Sequence, residues 1–296
     1  MKAAAFDYTR AQDLEQALEL LAQHGSEAKL IAGGQSLVPM MAMRLARPTQ
    51  LVDIYRLDAL RQINVQQQTV MIGAAVRQKE LQDKAELLCQ LPLLADALPW
   101  VGHQQTRNRG TVGGSLAHAD PAAELPLAFL ILGGAAHVRK HGQATRRIAA
   151  EDFFLGPMLT SLADDECLVH TEWPMRNSVR SASAFEETAI RHGDFAMASA
   201  GCQLSLDSQG CVSALSLGVG GVGPVPRVFP ELSSQWLGQL PSPQNIEALA
   251  HQVSAELDPH SDVHVQASFR RHLARVLLQR VLTQAAQGAS QASQKP

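Results

Sequence analysis

Between residues 13 and 24 the apolar positions Leu14, Ala17, Leu18 and Leu21 recur at steps of three and four, and the run stops at Gly25. That spacing lays one apolar stripe along a helix, and glycine readily adopts the left-handed turn in which helices end. Short apolar runs follow at residues 29–32, 51–54 and 69–73, bounded by polar or glycine residues, and these read as strands. From residue 78 to 101 helical spacing returns, interrupted near Pro92 and Pro99, where proline removes a main-chain donor and crowds the preceding turn. The first third of the chain is therefore mixed α and β. A stretch rich in small residues at 116–125 leads into an apolar segment at 127–132. Composition shifts at Trp173, Pro174, Met175, Arg176 and Asn177, and beyond it the alternation at 202–206 and 212–219 predicts antiparallel strands. We place a domain boundary at about residue 177. After Pro243 the pattern is helical again, over 246–257 and 269–286, and the Gln-, Ser- and Ala-rich residues 288–296 offer so little to bury that they are expected to be disordered.

The chain has 296 residues, 46% of them hydrophobic, enough for one large core or two to three modest ones. A net charge of −3 with scattered basic residues leaves no electrostatic footprint for a nucleic acid. The N-terminus turns polar within about ten residues, unlike a secretory signal. The longest apolar run, 125–138, is broken by Pro126, Gly133 and Gly134 and falls short of the roughly 18 residues of a spanning helix, so a soluble, cytoplasmic protein is expected. Cys89, Cys167, Cys202 and Cys211 lie far apart without a C-x-x-C pair and read as buried thiols. His103, His118, His137, His141 and His192 form no ligand-like pattern, and no metal is expected in this chain.

Two glycine pairs carry the candidate chemistry. The first is Gly33-Gly34, after Ala32 and before Gln35-Ser36; the second is Gly113-Gly114, after Thr111 and before Ser115. Glycine permits positive φ and leaves no side chain in the way, so successive N–H groups can converge on an anion. Two such turns could grip the two phosphates of a dinucleotide without any lysine, though each alone also fits an ordinary tight turn. A third glycine cluster, at 218–223, satisfies G-x-G-x-x-G, but Pro224 and Pro226 follow where a dinucleotide fold would open a helix, and it reads as a loop or strand edge. Phosphate-loop lysine, zinc-protease and hydrolase-elbow motifs do not occur.

The stretches AGGQSLVPMMAMRLARPTQLVDI (32–54) and RNRGTVGGSLAHADPAAELP (107–126) resemble the medium, FAD-binding subunit of the molybdenum hydroxylases, the family of carbon monoxide dehydrogenase medium chains and the flavin domain of xanthine dehydrogenase. GDFAMASAGCQLSL (193–206) and GGVGPVPR (220–227) resemble that family's C-terminal flavoprotein domain. The resemblance implies an α+β protein: a two-subdomain FAD-binding fold of the vanillyl-alcohol-oxidase type at 1–57 and 58–176, then a C-terminal antiparallel sheet with helices at 177–287. It implies that Ala32, Gly33, Gly34, Gln35 and Ser36 form one pyrophosphate loop and Thr111, Gly113, Gly114 and Ser115 the other. His118, Asp120 and Glu124 would then lie along the ribityl and ribose portion, Leu168 near the isoalloxazine, and Asp194 and Phe195 near its face. Relatives carry a lysine after the aromatic in the segment matching Phe185-Glu186-Glu187, where this chain is acidic, and Arg191 is the candidate substitute.

The resemblance further implies an oxidoreductase component with no substrate-transforming residues of its own. FAD would pass electrons from two [2Fe–2S] clusters of a small partner subunit to an external acceptor, while a large partner subunit holds the molybdenum cofactor. A dimer of such heterotrimers is expected. A stand-alone FAD-dependent reductase of the same fold is the alternative, and a degenerate flavin fold serving as a scaffold is a third.

Overall fold

The computed structural model describes residues 2–292 apart from 176, 177, 179 and 264, so the boundary expected at residue 177 lies outside the described residues. The chain forms two compact units. One contains the chain up to Lys84 with Gln104–His118 and Gly134–Trp173; the other contains Ala85–His103, Ala119–Gly133 and the chain from Pro174 onward.

In the first unit, strands β1 (Asp7–Arg10), β2 (Ala28–Ile31) and β3 (Gln50–Asp53) make a parallel sheet in the order β1-β3-β2. The helix Leu14–His24 connects β1 to β2 and begins at Asp13, whose carboxylate accepts the Gln16 N–H at 2.8 Å. Its stripe of Ala17, Leu18 and Leu21 is buried in a cluster with Val52, Ile54, Leu57 and Leu60. Each buried leucine there contributes roughly 1.5–3 kcal/mol. Strands β4 (Ile63–Gln66), β5 (Thr69–Gly73), β6 (Ala135–Lys140) and β7 (Arg146–Ala149) follow, then a small hairpin of β8 (Phe154–Gly156) and β9 (Leu159–Thr160), then β10 (Glu166–Pro174). Five of them form a second sheet in the order β4-β5-β10-β6-β7. The first turn of interest leaves the end of β2, and the second leaves the helix Gln104–Arg109.

In the second unit β11 (Ser181–Thr188), β12 (Ala198–Leu206), β13 (Val212–Gly220) and β14 (Arg227–Val228) form an antiparallel sheet. Alternation along β12 divides its two faces. Ala198, Ala200, Cys202 and Leu204 pack with the helices Pro243–Ala255 and Ala267–Ala292 through Ile246, Leu249, Leu277, Leu278 and Val281. On the opposite face glycines replace bulk. A Cβ on Gly201 would stand 3.0 Å from the Ile131 side chain, and one on Gly218 would stand 3.0 Å from both Ile131 and Leu127. The helix Glu124–Ile131 is seated against the sheet by those missing side chains. Cluster 218–223 closes β13 and turns toward β14 without opening a helix, as its prolines require.

Two expectations need correction. The helix reaches Ala292, and Ala289 is fully buried within it, because small residues pack close: a Cβ on Gly288 would lie 2.9 Å from that of Ala182. The tail expected to be disordered from 288 is thus helical through Ala292, and residues 293–296 lie outside the described residues. Cys167 and Cys202 are buried thiols, but Cys211 is half-buried and Cys89, just past the short helix Ala85–Leu88, is exposed. Among the described residues, no helix is long and apolar enough to cross a membrane.

Candidate functional site

The first glycine turn lies between β2 and the short helix Leu37–Ala42. Gly33 is buried, and its Cα faces the main chain of the second turn so closely that a Cβ would collide with the Arg109 carbonyl oxygen and come within 2.9 Å of the Gly110 Cα. Only glycine allows that approach. Gly34 has φ +71°, the left-handed region in which a side chain is strained. The carbonyls are engaged: Gly33 accepts the Gln35 amide at 3.2 Å, and Gly34 accepts the Val38 N–H at 3.1 Å. The N–H groups of Gly33, Gly34, Gln35 and Ser36 have no protein acceptor among the described residues, and the Ser36 hydroxyl caps nothing. Consecutive unengaged donors on a turn that includes a positive-φ glycine suit an anion.

The second turn is built differently. Thr111 precedes the helix Val112–His118, so Gly113 and Gly114 are helical and neither has positive φ. Its donors are already engaged. Val112 N–H bonds the Val76 carbonyl at 2.9 Å, Gly113 N–H the Ala74 carbonyl at 3.0 Å, and Gly114 N–H the Thr111 hydroxyl at 3.1 Å. The expectation of a second positive-φ nest therefore fails, and the reason for glycine is proximity: a Cβ on Gly113 would meet that of Ala74 at 2.5 Å. The turn still presents outward the exposed face of Gly114 and the half-buried Ser115, whose hydroxyl has no hydrogen-bond partner among the described residues and suits a phosphate oxygen.

Cations border both turns. The Arg109 guanidinium stands over the Tyr55 ring at 5.1 Å, and Arg77, paired with Thr111 through an isolated bridge, shares Glu80 with Arg61 at 3.3 and 3.4 Å. Arg109 was not among the residues singled out from the sequence. Its importance lies in its carbonyl, which a sequence motif does not reveal.

The remaining site residues fall as follows. His118 ends its helix half-buried, and Leu168 is buried on β10, both in the first unit. In the second unit, Ala119 has φ +52°, a conformation costing roughly 1–2 kcal/mol for a residue with a Cβ. Asp120 follows and accepts the Ala122 N–H at 2.9 Å, an arrangement that starts the helix Glu124–Ile131. Glu124, in that helix's first turn, is only 9% exposed. Asp194 and Arg191 are exposed, and Phe195 is 73% exposed. Glu187, opposite Ser199 in the β11–β12 register, is buried with one carboxyl oxygen unpaired. Burial and then the negative charge of Glu124 push its carboxyl up to about 8. Alternation with buried Phe185 is the sequence signal that places Glu187 inward.

Two family models cover most of the chain: residues 4–176 match the FAD binding domain in molybdopterin dehydrogenase, and residues 183–285 match the CO dehydrogenase flavoprotein C-terminal domain. The 6-hydroxypseudooxynicotine dehydrogenase complex subunit alpha of Paenarthrobacter nicotinovorans is 39% identical over 96% of each chain. The nicotine 6-hydroxylase medium subunit of the same organism is 36% identical over 96% of this chain and 99% of its own. A chain of quinoline 2-oxidoreductase from Pseudomonas putida 86 superposes with a TM-score of 0.92 at 34% identity, covering 98% of this chain and 99% of its own. The unpaired donors of residues 33–36 fit the phosphates of the cofactor these comparisons imply. The α+β fold and the domain matches agree: the chain belongs to the family of FAD-binding medium subunits of molybdenum hydroxylases, and it is an oxidoreductase component.

Proposed function

We propose that this chain holds FAD as the electron-transfer subunit of a heterotrimeric molybdenum hydroxylase. In this reading its partners are a small subunit with two [2Fe–2S] clusters and a large subunit with the molybdenum cofactor, the whole assembling as a dimer of heterotrimers. The observation that carries the reading is the row of four unengaged main-chain donors at Gly33, Gly34, Gln35 and Ser36, backed by the Arg109 carbonyl. Donors fixed by a rigid turn bind a pyrophosphate with little reorganisation. Thr111, Gly113, Gly114 and Ser115 complete the grip through the Ser115 hydroxyl and the approach that Gly114 leaves open. Ala32 orients the entry from β2. His118, Asp120 and Glu124 serve the ribityl and ribose hydroxyls, to which carboxylates and imidazole offer acceptors. Leu168, Asp194 and Phe195 serve the ring. Bound flavin exchanges electrons singly or in pairs, which couples one-electron clusters to a two-electron external acceptor. The organic substrate is transformed in the large subunit. The domains are proposed as 1–57, 58–176 and 177–287.

The test is the visible absorption of the purified chain beside Gly34→Asp, which sets a carboxylate among the phosphate donors. A flavin spectrum in the wild type, lost in the variant while circular dichroism is unchanged, supports the site. A folded wild-type chain that stays colourless after incubation with FAD refutes it. The relay is tested separately by adding the iron–sulfur and molybdenum subunits: electrons from the organic donor should reach an added acceptor only when all three are present.

A further inference from the structure

Residues 189–197 connect β11 to β12 and carry Asp194 and Phe195. Phe195 is 73% exposed, yet the connection that presents it is tied down at two places. Near its tip, Gly193 at φ +88° lies so close to the His103 ring that a Cβ would come within 2.5 Å of it, and the rings of Trp100 and His192 stand 6.1 Å apart. At its base, the Met197 N–H bonds the Thr188 carbonyl at 2.8 Å, and the Met197 carbonyl accepts from the Arg270 guanidinium at 2.7 Å.

Arg270 stands near the start of the helix Ala267–Ala292 and is only 5% exposed. The nitrogen that holds Met197 also donates to the Gly221 carbonyl at 2.6 Å, and the other terminal nitrogen pairs with Asp262 at 2.5 Å. Gly221, at φ +72°, gives its own N–H to the Pro121 carbonyl at 2.8 Å, next to Asp120. One guanidinium therefore joins the segment that carries Phe195 to the segment that carries Asp120. A planar fork of fixed donors can hold several acceptors in one geometry, which a single ammonium on a flexible stem cannot. Burial of this cation against one carboxylate and two carbonyls, with its Nε unpaired, is a weak source of stability, because desolvation offsets the attraction. The arrangement supplies position instead.

We propose that Arg270 is a positioning residue that acts through Met197 to hold the Phe195 ring at a fixed place relative to Asp120, so that a flavin meets a preset aromatic face. The flavin clause rests on the function proposed above; the pinning of residues 189–197 by Arg270 does not. Without the guanidinium the connection keeps its contact with His103 but loses its base, and Phe195 no longer has one position.

The experiment has two arms on the full chain. In the first, amide hydrogen exchange of the FAD-free chain is followed by mass spectrometry in wild type and Arg270→Lys. Peptides holding the bonded Met197 and Gly221 amides should exchange roughly tenfold faster in the variant, with the helix Pro243–Ala255 unchanged. Unchanged exchange at 189–197 overturns the proposal. Should Arg270→Lys fail to fold, Asp262→Asn keeps the guanidinium but slackens one of its anchors, and the same pattern is expected at smaller amplitude; its absence there is equally fatal. In the second arm, FAD affinity and flavin fluorescence are measured for Arg270→Lys, Phe195→Ala and the double variant. Arg270→Lys should weaken FAD severalfold and change the fluorescence, and that fluorescence change should largely vanish in the Phe195→Ala background. An equal change in both backgrounds, or none in either, overturns the positioning role. Failure of the wild type to bind FAD, with the exchange pattern as expected, sinks the flavin reading and leaves the pinning supported.

Discussion

The two glycine pairs of this chain look alike in sequence and do opposite things with their main chain. At Gly33-Gly34 the carbonyls are engaged and the donors are left over, whereas at Gly113-Gly114 the donors are engaged by Ala74 and Thr111. The first pair needs glycine both for φ +71° at Gly34 and for contact with the Arg109 carbonyl; the second needs it because Ala74 leaves no room. A glycine pair is therefore evidence for an anion site only once the fate of its N–H groups is known. In the proposed site the first turn is the binding element, and the second is mainly a brace that would set the distance at which Ser115 meets the ligand.

The largest effect should come where the two turns touch. Gly33→Ala forces a methyl into the Arg109 carbonyl and should cost about 3 kcal/mol in urea unfolding, with flavin lost as well. If Gly33→Ala folds and binds like the wild type, the contact between the turns is not structural. Alkaline instability should come next, and from neither turn, since residues 32–36 and 111–115 contain no ionisable side chain. The Glu187 carboxyl lies at about 8 in the fold against an ordinary 4.5. A raised value means the fold binds the proton more tightly than the unfolded chain. The resulting stability is complete below 4.5 and disappears as pH rises through 8. We expect a decline of about 2 kcal/mol by thermal or urea unfolding, and Glu187→Gln should flatten it. Equal decline in wild type and variant would point to another group.

Smaller effects separate binding from bracing. Gly34→Ala should cost about 1 kcal/mol in stability but roughly tenfold or more in FAD affinity, because its left-handed φ aims the donors. Thr111→Val removes the hydroxyl that caps Gly114, at about 1 kcal/mol of stability with only a modest change in affinity. Affinity falling more in Thr111→Val than in Gly34→Ala would reverse the assignment of roles.

Much of the fold was legible from periodicity. The helix Leu14–His24 and the antiparallel β12 and β13 follow from local spacing and alternation. What escaped depends on distant partners. Gly113 and Gly114 read as a loop because glycine weakens helices, yet Ala74, far away in sequence, decides their conformation. The end of the last helix read as disordered because alanine and glycine bury little area each, and close packing on β11 compensates. The two glycine turns were legible through their motif, and alternation with Phe185 points Glu187 inward, while the engaged or free state of each N–H group needed the tertiary structure.

The interleaving of the two units imposes an order on synthesis. Every segment of the first unit precedes residue 174, so that unit can close while the chain is still being made. The helices Pro92–Ala97 and Glu124–Ile131 belong to the second unit and emerge early, but the strands they cover begin only at residue 181, and the helix Ala267–Ala292 that seals the far face emerges later still. At ordinary ribosome speeds the apolar sides of those two helices wait on the order of ten seconds for their sheet. The nascent second unit is thus the stretch a chaperone would hold, and stalling before Ala267 should leave a first unit that is folded and a second that is not.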